Sequence, residues 1–268
     1  MDANDHPSPG SRRKWTRERA YVAQLVFGAG CHSPSIGPRT SEMIASLGLT
    51  SEMTALELGS GLGSGSLTIA QASGAWIDGI EPDKSLAQEA RKFNEGTKFK
   101  DKIGISESLQ DNSDIQRHRR DAVLCRESLH RFGDPKQIMT SVCELMKPTG
   151  QLILTDFVLV DGVEEEQLQS WIDISPEPMQ LWTLDQLREL LDGCGFEVHS
   201  ARDETEEYTG TILQALHAFA TGLGDQPLPV HWREWVMVEV EYWARLVAMF
   251  ENKLLQLQRI SASVKAKS

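Results

Sequence analysis

The stretch Ala55-Leu56-Glu57-Leu58-Gly59-Ser60-Gly61-Leu62-Gly63 decides how this chain is read. A short apolar run from Met53 to Leu58 stops at glycines in alternate positions, and Leu67, Ile69 and Ala70 follow in a helical pattern. That order predicts a strand, a tight turn and a helix start, with no side chains in the turn to hold a ligand away. Glu57 falls at the carboxyl end of the strand, the edge at which α/β sheets bind their ligands. A dinucleotide-binding turn is the obvious competitor. Its G-x-G-x-x-G fingerprint, started at Gly59, needs glycine at position 64, where this chain has Ser64. A carboxylate beside the turn repels a pyrophosphate and welcomes a ligand that carries positive charge.

A second acid agrees. Ala75 to Ile80 reads as the next strand and ends in Glu81-Pro82-Asp83, with Glu81 placed 24 positions after Glu57. An acid about 20 residues beyond the turn is where ribose hydroxyls are bound. An amino acid that bears an ammonium, a sulfonium and a ribose, S-adenosylmethionine (SAM), meets both requirements.

Four ordered segments resemble the class I SAM-dependent methyltransferases. They are Glu57 to Gly63; Gly79-Ile80-Glu81-Pro82-Asp83; Asp121 to Cys125 with Leu129 to Pro135; and Leu145 to Leu154, which is similar to the family's L-K-P-G-G turn and fifth strand. The resemblance covers residues 20 to 160. It implies an α/β fold with a doubly wound, seven-stranded, mostly parallel Rossmann-like sheet. It further implies SAM as cofactor and S-adenosylhomocysteine as product. Cofactor contacts are implied at Glu57, Gly59, Ser60, Gly61, Gly63, Glu81, Pro82 and Arg126. The family's adenine-binding acid falls near Ser108-Leu109-Gln110, so that contact passes to the Ser108 and Leu109 backbone or to Asp111.

The chain has 268 residues, 40% of them hydrophobic, enough for one α/β domain with additions. A net charge of −12 argues against a nucleic-acid backbone as partner. The basic run from Arg12 to Arg19 reads as a solvated arm leading into a helix. Four cysteines lack C-x-x-C spacing, and Cys125 and Cys143 read as buried thiols. The histidines suggest no metal site. With no leader and no long apolar run, a cytoplasmic protein with no integral membrane association is expected.

Taken in order, residues 1–15 read as a disordered tail and 16–50 as a helical lid. Residues 51–268 form the methyltransferase domain, with helical additions at 161–182 and 209–251. The first helix carries Ala20, Val22, Leu25 and Val26, and ends in the glycine- and proline-rich loop Phe27 to Pro38. In phosphoethanolamine-type enzymes, a helix of this kind runs into F-G-x-x-x-x-S-x-G-G. Phe27, Gly28 and Ser33 match that pattern, while Ser35-Ile36 replaces the double glycine. Their tyrosine five residues before the first glycine is Ala23 here, with Tyr21 nearby. Thr183 to Gln186 reads as a capping box that opens a helix stopping at Gly193. Leu254 to Val264 reads as the seventh strand, antiparallel. Trp232, Trp235 and Trp243 are spaced to share a helix face.

Methyl transfer from a sulfonium asks mainly for positioning, and for a base only when the acceptor arrives protonated. His130, near the histidine of phosphoethanolamine-type enzymes but one residue closer, is the candidate base, since imidazole is the side chain suited to proton transfer near neutral pH. Asp156 and Tyr21 are candidates for orienting the acceptor, in a chamber bounded by Tyr21, His130 and Trp171. The expected reaction is methylation of nitrogen or oxygen on a small neutral or anionic molecule, with Arg126 and the basic run holding any negative charge. A nucleic-acid enzyme acting on base amines would carry [N/D/S]-P-P-[Y/F] where this chain has Cys125-Arg126-Glu127-Ser128. A catalytically silent SAM-binding subunit is the other reading left open.

Overall fold

The structure is a computed structural model, and it describes residues 14–34, 37–110, 119–223 and 230–266. The tail at 1–11 and Asp111 lie outside these residues. Trp15, which the sequence groups with the tail, is buried.

One sheet organises the chain. Its strands are β1 (Thr54–Leu58), β2 (Trp76–Ile80), β3 (Ile103–Ser106), β4 (Arg120–Arg126), β5 (Met146–Leu159), β6 (Trp182–Thr183), β7 (Phe196–Asp203) and β8 (Leu255–Val264). They run in the order β3-β2-β1-β4-β5-β8-β7, with β6 pairing β5. Every pairing is parallel except those of β8, which lies antiparallel to both β5 and β7. The doubly wound, mostly parallel sheet with a reversed last strand is as expected. The count rises from seven to eight because the two residues of β6 extend the capping-box region onto the end of β5.

The helices follow from the same alternation. They are α1 (Arg17–Phe27), α2 (Pro38–Ser46), α3 (Ser64–Ser73), α4 (Lys84–Glu95) and α5 (Pro135–Leu145), followed by α6 (Gln169–Ile172), α7 (Leu184–Gly193), α8 (Thr205–Leu223) and α9 (Val230–Glu251). Successive strand residues point to opposite faces. Leu56, Leu58, Val123 and Cys125 therefore pack under α5 and α7, against Met139, Val142, Leu187 and Leu191. Ala55, Ala122 and Leu124 face the other way, onto Met43 and Ile44 of α2 and Ile69 of α3. The second core sits beyond the β5 and β8 ends, where Phe157, Trp171, Tyr208, Tyr242 and Trp243 gather. It forms a cap over the carboxyl edge of the sheet.

Local signals set the boundaries. Asp83 caps α4 by accepting from the Ser85 and Leu86 amides at 2.9 and 3.0 Å. Thr183 and Gln186 make the reciprocal capping box that opens α7. Pro135 stands at the start of α5, behind its Asp134 cap. In α1, Leu25 departs from expectation and is exposed, whereas Arg19 is fully buried because Glu239 of α9 meets it. Cys143 is only partly buried, on the rim between α5 and Gly195. Trp235 and Trp243 are buried, and Trp232 lies against Tyr21.

Candidate active site

The β1 turn is built as its glycines require. Gly59, Gly61 and Gly63 take φ of 71°, 56° and 93°, a region that side chains rarely enter. The amides of Gly59 and Ser60 donate to the Ile80 carbonyl at 2.8 and 3.1 Å, which hangs the turn from β2. Glu81, fully buried, accepts from Gly61 N at 2.8 Å and Asp83 N at 2.9 Å. Arg131 bonds the same carboxylate at 2.6 Å. Burial raises the Glu81 pKa, and the Arg131 guanidinium opposes that rise. Pro82 is exposed beside it.

Glu57 is turned to the protein rather than to the turn's open face. Its two oxygens take Arg126 at 2.6 Å and the Ser66 hydroxyl of α3 at 2.5 Å. This ion pair sits under Gly65, where a Cβ would come within 1.9 Å of the guanidinium. Arg126, at the end of β4, is thereby committed to Glu57. Ser108 is partly buried, and Leu109 belongs to the main core and holds the segment after β3 against the sheet.

The segment after α1 lies over the turn. The Gly30 carbonyl accepts from Ser64 N at 3.1 Å, and the Cys31 thiol donates to the Ser64 hydroxyl at 3.2 Å. His32 stands on Gly61, where a Cβ would meet its ring at 2.1 Å. Burial and the nearby Arg131 and Arg126 push the His32 pKa down to about 3, so the ring is neutral. Nothing in the sequence pattern singled out His32, because the glycines around it read only as a loop.

At the carboxyl ends of β4 and β5 the chemistry gathers. Glu127 has φ of 45°, uncommon for a residue with a side chain. Its carboxylate accepts from the Thr155 hydroxyl at 2.7 Å and from Arg39 at 3.1 Å. His130 Nδ1 is 2.5 Å from Asp156 Oδ1, and His130 N donates to Asp156 Oδ2 at 3.1 Å. Both side chains are buried. His130 lines a chamber that it shares with His32, Arg131, Glu177, Tyr208 and Tyr242, among others. The free space between these groups is about 40 Å³, far below the roughly 300 Å³ of a formed small-molecule site.

Two sequence expectations need correction. Tyr21 does not line the chamber: the residue is 47% exposed, and its ring lies 4.5 Å from that of Trp232 at a tilt of 38°. Trp171 is core, packed edge-on to Phe157 at 5.6 Å. The 161–182 segment contributes Ser175, Pro176 and Glu177 to the wall instead. Tyr208, Tyr242 and Glu239, from the late helices, also line it. Only tertiary packing brings them there, and no motif marks them.

The residues fit SAM on their own chemistry. Glycine backbone faces a buried carboxylate, and the Ser60 hydroxyl, buried at the turn, has no hydrogen-bond partner among the described residues. A sheet in this order, closed by a reversed strand, with a glycine turn backed by a buried acid, defines a SAM-dependent methyltransferase. The chain belongs to the methyltransferase-domain family, whose model matches residues 38–201.

Among curated proteins, the phosphoethanolamine N-methyltransferase of Plasmodium falciparum is 23% identical over 215 residues, which is 77% of this chain and 76% of that one. Phosphoethanolamine N-methyltransferase 1 of Zea mays is 21% identical over 202 residues, 75% of this chain, but the match spans only 40% of its own length. A solved structure of the Haemonchus contortus phosphoethanolamine N-methyltransferase 2, with phosphomonomethylethanolamine and S-adenosylhomocysteine, superposes with a TM-score of 0.76 at 15% identity. It covers 92% of this chain and 57% of that one. That likeness is one of fold. Among the described residues no helix is long and apolar enough to cross a membrane.

Proposed function

We propose that the chain transfers a methyl group from SAM to nitrogen or oxygen of a small molecule, with His130 as the base. The observation that carries this reading is the His130–Asp156 pair at the chamber wall, 2.5 Å apart at the carboxyl edge of the sheet. When bound, SAM supplies an electrophilic methyl carbon on a positive sulfur, with sulfur as an excellent leaving group.

The chain's own residues do the rest. The amides and glycines from Gly59 to Gly63 let a ligand approach the backbone, and the Glu81 carboxylate is available for hydroxyl donors. Glu57 and Arg126 neutralise each other and hold the turn against β4, which keeps α3 in register. Asp156 accepts the Nδ1 proton of His130 and so leaves Nε2 with its lone pair as the atom that takes the acceptor's proton. The β4 and β5 ends hold the acceptor in line, an entropic contribution of several kcal/mol. His32 must shift for the chamber to widen, and the loop from Gly28 to Pro34 is the element that can carry it away.

A screen with methyl-labelled SAM and a panel of small amines and hydroxyl compounds, on the intact purified protein, tests the reading. Label transferred to one class of acceptor supports it. SAM binding with no transfer to any acceptor favours a silent SAM-binding subunit instead.

A further inference from the structure

The charges that line the chamber are already matched to one another. Two guanidinium groups, Arg19 and Arg131, face three carboxylates, Glu127, Glu177 and Glu239. Arg19 and Glu239 form an ion pair whose side chains are 0% and 1% exposed. Arg131 is bonded to Glu81 and to Glu177, and Glu127 is met from behind by Arg39. Among the described residues no lining arginine lacks a carboxylate, and no lysine lines the chamber. A phosphate dianion entering here would have to draw a guanidinium from a carboxylate, which would then stay buried without its counter-charge. Breaking a buried pair in that way is strongly unfavourable.

Much of the remaining wall is aromatic, with Trp15, Phe157, Tyr208, Tyr242 and Trp243 set beside the two histidines, two serines and Pro176. It already accommodates a cation, because the Arg19 guanidinium carbon lies 5.3 Å from the Trp15 ring centre and 5.8 Å from that of Tyr242. Among the described residues, an uncharged polar group on the wall is also left over. The Tyr208 side chain is 0% exposed, and its hydroxyl has no hydrogen-bond partner among the described residues. A buried hydroxyl of this kind costs free energy until something bonds it.

The geometry points to an acceptor that is an amine with an apolar or aromatic body and no phosphate, oriented by a hydrogen bond to the Tyr208 hydroxyl. The inference rests on the methyltransferase reading above and narrows it.

Calorimetry on the full chain loaded with S-adenosylhomocysteine, titrated with tyramine, ethanolamine and phosphoethanolamine, tests it without relying on turnover. Tyramine should bind at least ~10-fold more tightly than phosphoethanolamine. Tyr208→Phe should weaken tyramine roughly fivefold, the factor of one ordinary hydrogen bond, and leave S-adenosylhomocysteine binding unchanged. Tighter binding of phosphoethanolamine, no binding of either unphosphorylated amine, or no effect of Tyr208→Phe on tyramine would overturn the proposal. Failure to bind S-adenosylhomocysteine counts against the methyltransferase reading itself, and the same titrations on the protein alone still decide the acceptor class.

Discussion

His130 and Asp156 are joined twice, side chain to side chain at 2.5 Å and His130 backbone amide to carboxylate at 3.1 Å. The second bond fixes the turn that carries the imidazole, and the first fixes which ring nitrogen holds the proton. Asp156→Asn keeps the shape but loses the charge that favours Nδ1–H. The kcat should fall at least ~10²-fold with SAM affinity unchanged, and the acidic limb of the pH–rate profile should move. An unaltered profile in the variant would assign Asp156 a packing role only.

Glu81→Ala removes the acceptor of the Gly61 amide and the partner of Arg131. Calorimetry should register a loss of at least ~1 kcal/mol in SAM affinity, the scale of a charge-assisted hydrogen bond. Full affinity in the variant would place the ribose contact elsewhere.

The His32 ring, neutral and wedged over Gly61, makes the covering loop sensitive to acid. Its pKa of about 3 lies below the ordinary value of 6.5. A folded state with the depressed value binds fewer protons than the unfolded chain between those limits, so the docked loop is at full stability above pH 6.5 and weakens as pH falls toward 3. The slope has a ceiling of about 1.4 kcal/mol per pH unit. The hydrogen-exchange protection factors of Cys31 and Ser64, corrected for intrinsic base catalysis, should fall between pH 7 and pH 5 in the native chain and lose that dependence in His32→Ala. Limited proteolysis at residues 12–40 should also slow when S-adenosylhomocysteine is added. Equal cleavage with and without it argues against a lid.

Gly59→Ala should destabilise without touching any catalytic group. Its φ of 71° disfavours a side chain, and the new Cβ would lie 2.2 Å from that of Ser128. Strain alone accounts for about 1–2 kcal/mol. Thermal melting should drop by several degrees. A variant with the native melting temperature would mean that the Ser128 turn yields freely.

The sheet was legible because its signals are local. Alternating apolar residues in β1, β2 and β4 set the two core faces, and Asp83, Thr183 and Pro135 mark helix starts by short-range hydrogen bonding and fixed φ. The glycine turn with Glu81 was readable for the same reason. The chamber wall was not. Tyr208, Tyr242 and Glu239 lie on late helices, brought over the β4 and β5 ends by the second core, and only long-range packing decides which of their faces points inward. Tyr21 misled because its proximity to a motif position in sequence does not fix the side of α1 on which it falls; Ala20 and Val22 take the buried face. Arg19 looked like part of a solvated basic arm, and a single distant carboxylate, Glu239, changes that.

The most direct test is methyl transfer by the native chain and His130→Ala, measured with labelled SAM alongside SAM affinity by calorimetry. The account predicts transfer by the native chain, a kcat lower by roughly 10²–10⁴ in the variant, and nearly equal SAM affinity in both. Equal kcat in the two proteins, or NAD bound in place of SAM, would contradict it.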